Sequence, residues 1–186
     1  MMVLSNFQKV EMAWWHMVME QKSLLPADLA VALRLEHRPD ERYEELAGAL
    51  GVSLSAAHRS VQRLNAAGLL LPGSRRVNRS ALLEFLIHGA RYAFPPNLGP
   101  EIRGVPTAGA LPALESQMPQ GSGAVWPSTA GRIRGPALAP LYPGAPAAAL
   151  HDEKLHLLLA LVDTMRIGQA RERHIAESLL TNALHA

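Results

Sequence analysis

The chain has 186 residues and a formal net charge of +2, which allows one ordinary domain with appendages and excludes two large ones. It contains no cysteine, which excludes disulfides, thiolate nucleophiles and cysteine-ligated metal sites and fits a reducing, cytoplasmic setting. Charges at Lys9, Glu11 and Glu20 interrupt the first apolar stretch, and "LHLLLALV" near the other end is too short for a bilayer; neither a signal peptide nor a membrane span is expected.

Residues 7–21 place Val10, Ala13, Trp14, Met17 and Val18 near one face at helical spacing, so residues 1–22 read as an N-terminal amphipathic helix. A second helix follows "SLLP". Ser23 is its expected cap, Pro26 falls in its first turn, and Leu25, Leu29, Ala32 and Leu33 form its buried stripe before Pro39. Asp40 is the candidate cap of a third helix, "ERYEELAGAL", in which Tyr43, Leu46, Ala47 and Leu50 face inward. Gly51 breaks that helix, Ser53 caps the next one from Leu54 to Ala67, and Gly68 stops it. "LLLPGSRRV" then reads as a hairpin around Pro72 and Gly73, and the helix "SALLEFLIHGARYAF" starts at about residue 80.

Beyond Phe94 the texture changes. Residues 93–147 hold eleven of the fourteen prolines and eight of the fourteen glycines, with only Glu101, Arg103, Glu115, Arg132 and Arg134 charged. That density of breakers predicts no regular element of any length. Leu111, Leu114, Met118, Trp126, Leu138, Leu141 and Tyr142 nevertheless make the stretch more apolar than a free linker. Residues 93–148 therefore read as an ordered irregular arm packed on a partner or sister subunit, with a free linker as the alternative. A faint internal echo links "IRGVP" at residue 102 to "IRGPA" at residue 133.

Residues 149–186 are helical again. Asp152 is the candidate cap of a helix with a stripe of Leu155, Leu158, Leu159 and Val162, widened by Leu157 and Leu161. Gly168 separates it from a last helix bearing Ile175, Leu179 and Ala183, and these faces need the N-terminal helix or another chain. Dimerisation or partner binding is the expected role. "RIGQARER", residues 166–173, reads as a solvated helix face with intrahelical ion pairs among Arg166, Arg171, Arg173 and Glu172.

Three helices and a hairpin, with a glycine turn between the second and third helices, is the order of a winged helix-turn-helix. At about 100° per residue, Ala57, Val61 and Leu64 share one face of the helix after Gly51, Ser55, Arg59 and Gln62 fall opposite, and His58 and Arg63 flank them. Arginine can bond guanine and glutamine adenine through two hydrogen bonds each. No acidic residue lies between Glu45 and Glu84, whereas Arg59, Arg63, Arg75, Arg76 and Arg79 do, an electrostatic footprint for phosphate. The candidate DNA-binding set is Ser53, Ser55, His58, Arg59, Gln62, Arg63, Arg75, Arg76 and Arg79. Arg59 and Gln62 would read sequence, Ser55 and Arg63 fix register, and Arg75, Arg76 and Arg79 hold the backbone. His151 and His156 are five apart and share no helix face, and no phosphate loop or nucleophile elbow is present; no metal, cofactor or enzymatic activity is expected.

The run "YEELAGALGVSLSAAHRSVQRLNAAGLL" resembles winged helix-turn-helix transcriptional regulators of the MarR-like type. Their alanine in the second helix, glycine at the turn and apolar recognition-helix interior correspond here to Ala47, Gly51 and Val61. The resemblance covers roughly residues 24–92, and the long Pro/Gly segment departs from it. The tail from Pro140 to Arg173 looks like that of small bacterial helix-turn-helix proteins. The expected fold is mainly α: a winged helix-turn-helix domain at 23–92 with a small β-hairpin wing at 69–79, a long Pro/Gly-rich irregular segment, and a C-terminal helical segment. The resemblance implies a cytoplasmic, bacterial, sequence-specific DNA-binding regulator, a repressor, acting as a homodimer on double-stranded DNA. The alternative is an antitoxin-like or adaptor protein whose residues 93–186 bind a second protein.

Overall fold

The structure, a computed structural model, describes residues 23–185; the amphipathic helix expected at 7–21 lies outside them. Helix α1 (Pro26–His37) opens on a proline, where the missing N–H has no helical partner to lose. Its cap differs from expectation. The flanking residue is Leu25, which is exposed, and the Leu25 N–H donates to the Asp28 carboxylate at 2.8 Å. Asp28, not Ser23, closes this terminus. Helix α2 (Tyr43–Leu50) likewise starts from Arg42, whose N–H donates to the Glu45 carboxylate at 3.1 Å, and not from Asp40.

Gly51 takes φ +64° at the turn after α2, a conformation that costs glycine little. Ser53 then caps α3 (Leu54–Ala66) as expected, accepting from the Ala56 N–H at 3.2 Å. Leu70 and Val77 form a single antiparallel bridge, and the Leu71 N–H donates to the Arg76 carbonyl at 2.8 Å. The hairpin is present in a minimal form. Helix α4 (Arg79–Glu84) runs through a π-helical turn (Phe85–Gly89) into α5 (Ala90–Ala93).

The largest departure from expectation follows. Strands β1 (Leu98–Ala108), β2 (Gly123–Pro127) and β3 (Ile133–Leu138) form a small sheet, with the short helix α6 (Pro112–Glu115) between the first two. β1 pairs antiparallel with both neighbours, and β2 meets β3 in parallel at Val125 and Ala137, closing the strands on themselves. Residues read as breakers are building parts of this sheet. A Cβ on Gly104 would stand 2.2 Å from the Trp126 carbonyl oxygen, and one on Gly131 would stand 2.0 Å from the Gly104 carbonyl carbon. Backbones this close leave room only for glycine. The fold is therefore mixed, helices with a small three-stranded sheet, rather than mainly α with an irregular arm.

Helices α7 (Ala145–His151), α8 (Glu153–Ile167) and α9 (Ala170–His185) complete the described chain. α8 is central: it packs against α1, α5, α7, α9 and β1, and every residue from Leu158 to Arg166 is buried. Its apolar faces meet elements of its own chain. The seven apolar residues named from the arm's sequence, Leu111, Leu114, Met118, Trp126, Leu138, Leu141 and Tyr142, are likewise all buried, whereas Leu98 and Ile133 are exposed. α9 buries Ala176, Leu180 and Leu184, with Ile175, Leu179 and Ala183 partly buried beside them. Its apolar face is two residues wide, and its centre falls one residue beyond the expected stripe.

A polar network fastens the sheet to α8. The buried Asp163 carboxylate accepts from Thr107 Oγ1 at 2.8 Å, Trp126 Nε1 at 2.7 Å and Arg166 Nη1 at 2.6 Å. Arg166 Nε donates to the Phe94 carbonyl at 2.9 Å. Arg166, expected on a solvated face, is only 7 % exposed, because Asp163 one turn earlier carries the opposite charge into the core.

A second tie joins α8 to α1. Asp152 caps α8 by accepting from the Leu155 N–H at 3.0 Å, and its other oxygen accepts from Arg34 and His37 Nε2, the latter at 2.9 Å. His37 Nδ1 faces the Leu33 carbonyl at 3.0 Å. Burial raises the Asp152 carboxyl, but the Leu155 N–H, His37 and Arg34 together bring it below its ordinary value. A carboxyl whose folded pKa lies below its unfolded one stabilises the fold above the unfolded value, and that contribution is lost as pH falls through the folded one. The urea-midpoint difference between wild type and Asp152→Asn is expected to be full at about pH 5 and to shrink below about pH 4, the ordinary carboxylate value. A difference that persists unchanged into acid would contradict this role.

Candidate nucleic-acid interface

Helix α3 is braced from two sides. Ala57, Ser60, Val61 and Leu64 are buried on a helix that packs against α1 and α2, and Ala57 and Ser60 add little bulk to that face. Arg63 locks the helix to α1. Its Nε donates to Asp28 Oδ2 at 2.7 Å and its Nη2 donates to Asp28 Oδ1 at 2.6 Å, with a further bond to Ser60 Oγ at 3.2 Å. The Asp28 side chain is fully buried and that of Arg63 is 16 % exposed. A planar guanidinium facing both carboxylate oxygens fixes the rotation of α3 about its own axis as well as its distance.

That rotation decides what faces outward. Ser55, His58, Arg59 and Gln62 are all exposed along α3. Among the described residues, the side chains of Arg59 and Gln62 have no hydrogen-bond or ion-pair partner, and Ser55 Oγ meets only Ser53 Oγ, at 3.2 Å. Ser53 itself is engaged as the cap. His58 lies flat on Tyr43, with ring centroids 3.7 Å apart and planes 21° from parallel. The Arg75 guanidinium sits over the same Tyr43 ring at 4.8 Å, and its Nη1 donates to the Glu41 carbonyl at 2.6 Å. The hairpin is thereby pinned to the start of α2.

The remaining arginines divide. Arg76 is exposed at the hairpin, and its guanidinium has no partner among the described residues. Arg79 Nη2 donates to the buried Glu36 carboxylate at 2.9 Å, which Lys154 also approaches at 3.5 Å. Arg79 keeps a half-exposed side chain, so its charge serves the fold and still reaches the surface. Of the nine residues named from sequence, the structure gathers Ser55, His58, Arg59 and Gln62 on one helix face, with Arg75 joined to His58 through Tyr43. It turns Arg63 inward.

Two roles at the site go beyond the sequence reading. Tyr43, expected to face inward, is partly buried against the core and also forms the platform for His58 and Arg75. Asp28 was not singled out, although a carboxylate three residues after Leu25 and one before Leu29 lies within the expected apolar stripe, where only a buried cation can hold it. Elsewhere, His156 is half-buried, stacked near Trp126, with Nε2 2.8 Å from the Pro106 carbonyl; burial pushes its pKa down. Among the described residues no group of three or more His, Asp or Glu is placed to hold a metal, and no helix is long and apolar enough to cross a membrane. No family model, no curated protein and no solved structure matches the chain.

Proposed function

We propose that the chain is a sequence-specific DNA-binding regulator of transcription of the winged helix-turn-helix kind, with α3 as the helix that enters the major groove. The observation that carries this reading is the outer face of α3: a serine, an arginine and a glutamine exposed together on a helix whose opposite side is locked by the Arg63–Asp28 pair. A rigid helix presenting side chains able to bond base edges is what direct readout requires. In this reading Arg59 and Gln62 specify bases, Ser55 and His58 contact the flanks, and Arg76 with the half-exposed Arg79 meets phosphates. Arg63 acts from within, by aiming the helix. The partner-gripping alternative draws on the apolar arm; Trp126 and Tyr142 of that arm are buried within the same chain, while Leu98 and Ile133 stay exposed.

Binding to duplexes selected by the protein separates these roles. Arg59→Ala is expected to cost about 1–3 kcal/mol on a selected site and to relax the preference at one base pair. Arg76→Ala is expected to weaken all duplexes alike and to reduce the slope of log affinity against log salt by about 0.9. Equal loss on all sequences from Arg59→Ala would argue against base reading by α3.

A further inference from the structure

The two halves of the sequence echo meet in space. Ile102, Arg103 and Gly104 of β1 pair antiparallel with Gly135, Arg134 and Ile133 of β3, so Arg103 stands directly opposite Arg134. Residues directly opposite in a ladder share one face of the sheet, and like charges in that position repel. Both side chains are exposed, as is the neighbouring Arg132. Arg103 Nε donates to the Gly131 carbonyl at 2.6 Å, and Arg134 Nη2 donates to the Glu101 carbonyl at 3.3 Å. These bonds use backbone oxygens and leave the guanidiniums without an ion-pair partner among the described residues. Glu101 is the acidic residue two positions from Arg103, and among the described residues its carboxylate forms no ion pair with any of the three arginines.

The geometry points to the outer face of the β1–β3 ladder as a second nucleic-acid contact, in which Arg103, Arg132 and Arg134 hold the phosphodiester backbone of duplex DNA. This rests on the DNA-binding reading of α3 and extends its footprint to the part of the chain that departs from a winged helix. Phosphate is a ligand that the opposed Arg103 and Arg134 guanidiniums fit, with exposed Arg132 two residues along the chain, because N–H edges left free by the carbonyl bonds can meet an anionic oxygen. Two strands place the charges at fixed spacing, and the cross-strand repulsion is relieved when an anion lies between them. Backbone contact carries no base information, so this surface adds affinity and salt dependence without sequence preference.

The test is fluorescence anisotropy of the full chain on a random-sequence duplex across a range of potassium chloride, comparing wild type, Arg103→Gln with Arg134→Gln, and Arg59→Ala with Gln62→Ala. A second pair, Arg132→Gln with Arg134→Gln, leaves the Arg103–Gly131 bond in place should the first disturb the sheet. Each arginine pair is expected to lower the salt slope by about 1.8 and to weaken binding roughly 10- to 100-fold at about 0.1 M salt. Thermal midpoints at or above that of wild type are expected for the second pair, since repulsion is removed. Wild-type slope and affinity in both arginine pairs would overturn this contact while leaving the α3 reading intact. Loss in those pairs with little or none in the α3 variant would support the contact, since side chains that read bases add little on a random-sequence duplex. No duplex binding by wild type would overturn both.

Discussion

Replacing Asp163 with alanine is expected to lower the stability of the chain by roughly 3–5 kcal/mol, the scale for breaking one side of a buried ion pair. The change orphans three donors together. Thr107 Oγ1, Trp126 Nε1 and Arg166 Nη1 would be left buried without their acceptor, and unsatisfied buried donors lose their desolvation energy without return. Burial pushes the Asp163 carboxyl up while Arg166 and the two neutral donors oppose it, so the charge depends on all of them. A fall in Tm on the order of 10 °C follows for a chain of this size. Pairing Asp163→Ala with Arg166→Met removes both charges and is expected to recover much of the loss. A loss below about 1 kcal/mol, the scale of an exposed pair, would show that the sheet is not fastened to α8 through this carboxylate.

Asp28→Ala is the second large effect, with an expected cost of similar size, about 3–5 kcal/mol. It strips the Arg63 guanidinium of both oxygens and the Leu25 N–H of its cap. Its consequence differs from that of Asp163. Arg63 sets the rotation of α3, so Asp28→Ala is expected to weaken DNA binding even at temperatures where the fold survives. The conservative Asp28→Glu keeps the charge but displaces the carboxylate by one methylene, and should retain more stability than it retains affinity. Urea unfolding and anisotropy on the same samples separate the two readouts. Equal preservation of affinity in Asp28→Ala would place the aim of α3 elsewhere.

The helices from α1 to α4 and the minimal hairpin were legible because their signals are local. Gly51 and Ser53 state a turn and a cap within three residues, and Ala57, Val61 and Leu64 recur at helical spacing. Caps at Ser23 and Asp40 were misplaced, because Asp28 and Glu45 reach back from inside their helices to the preceding N–H. The sheet was not legible. Its glycines are required by the approach of Gly131 to Gly104 and of Gly104 to Trp126, a long-range cause that reads locally as a break. Arg166 was misread for the same kind of reason, since its partners Asp163 and the Phe94 carbonyl lie one turn and 72 residues away. At the site, exposure of Arg59 and Gln62 followed from periodicity, whereas the inward turn of Arg63 depended on α1. The outer face of a helix is set by spacing; which flanking residue is pulled inward is set by tertiary charge.

Selection of bound sequences from a random duplex library tests the central claim most directly. The wild-type chain is expected to enrich one discrete motif containing a guanine and an adenine, the partners of arginine and glutamine in the major groove. The Arg59→Ala, Gln62→Ala chain is expected to bind without that enrichment. No enriched motif from wild type, or the same motif from both chains, would contradict base reading by α3.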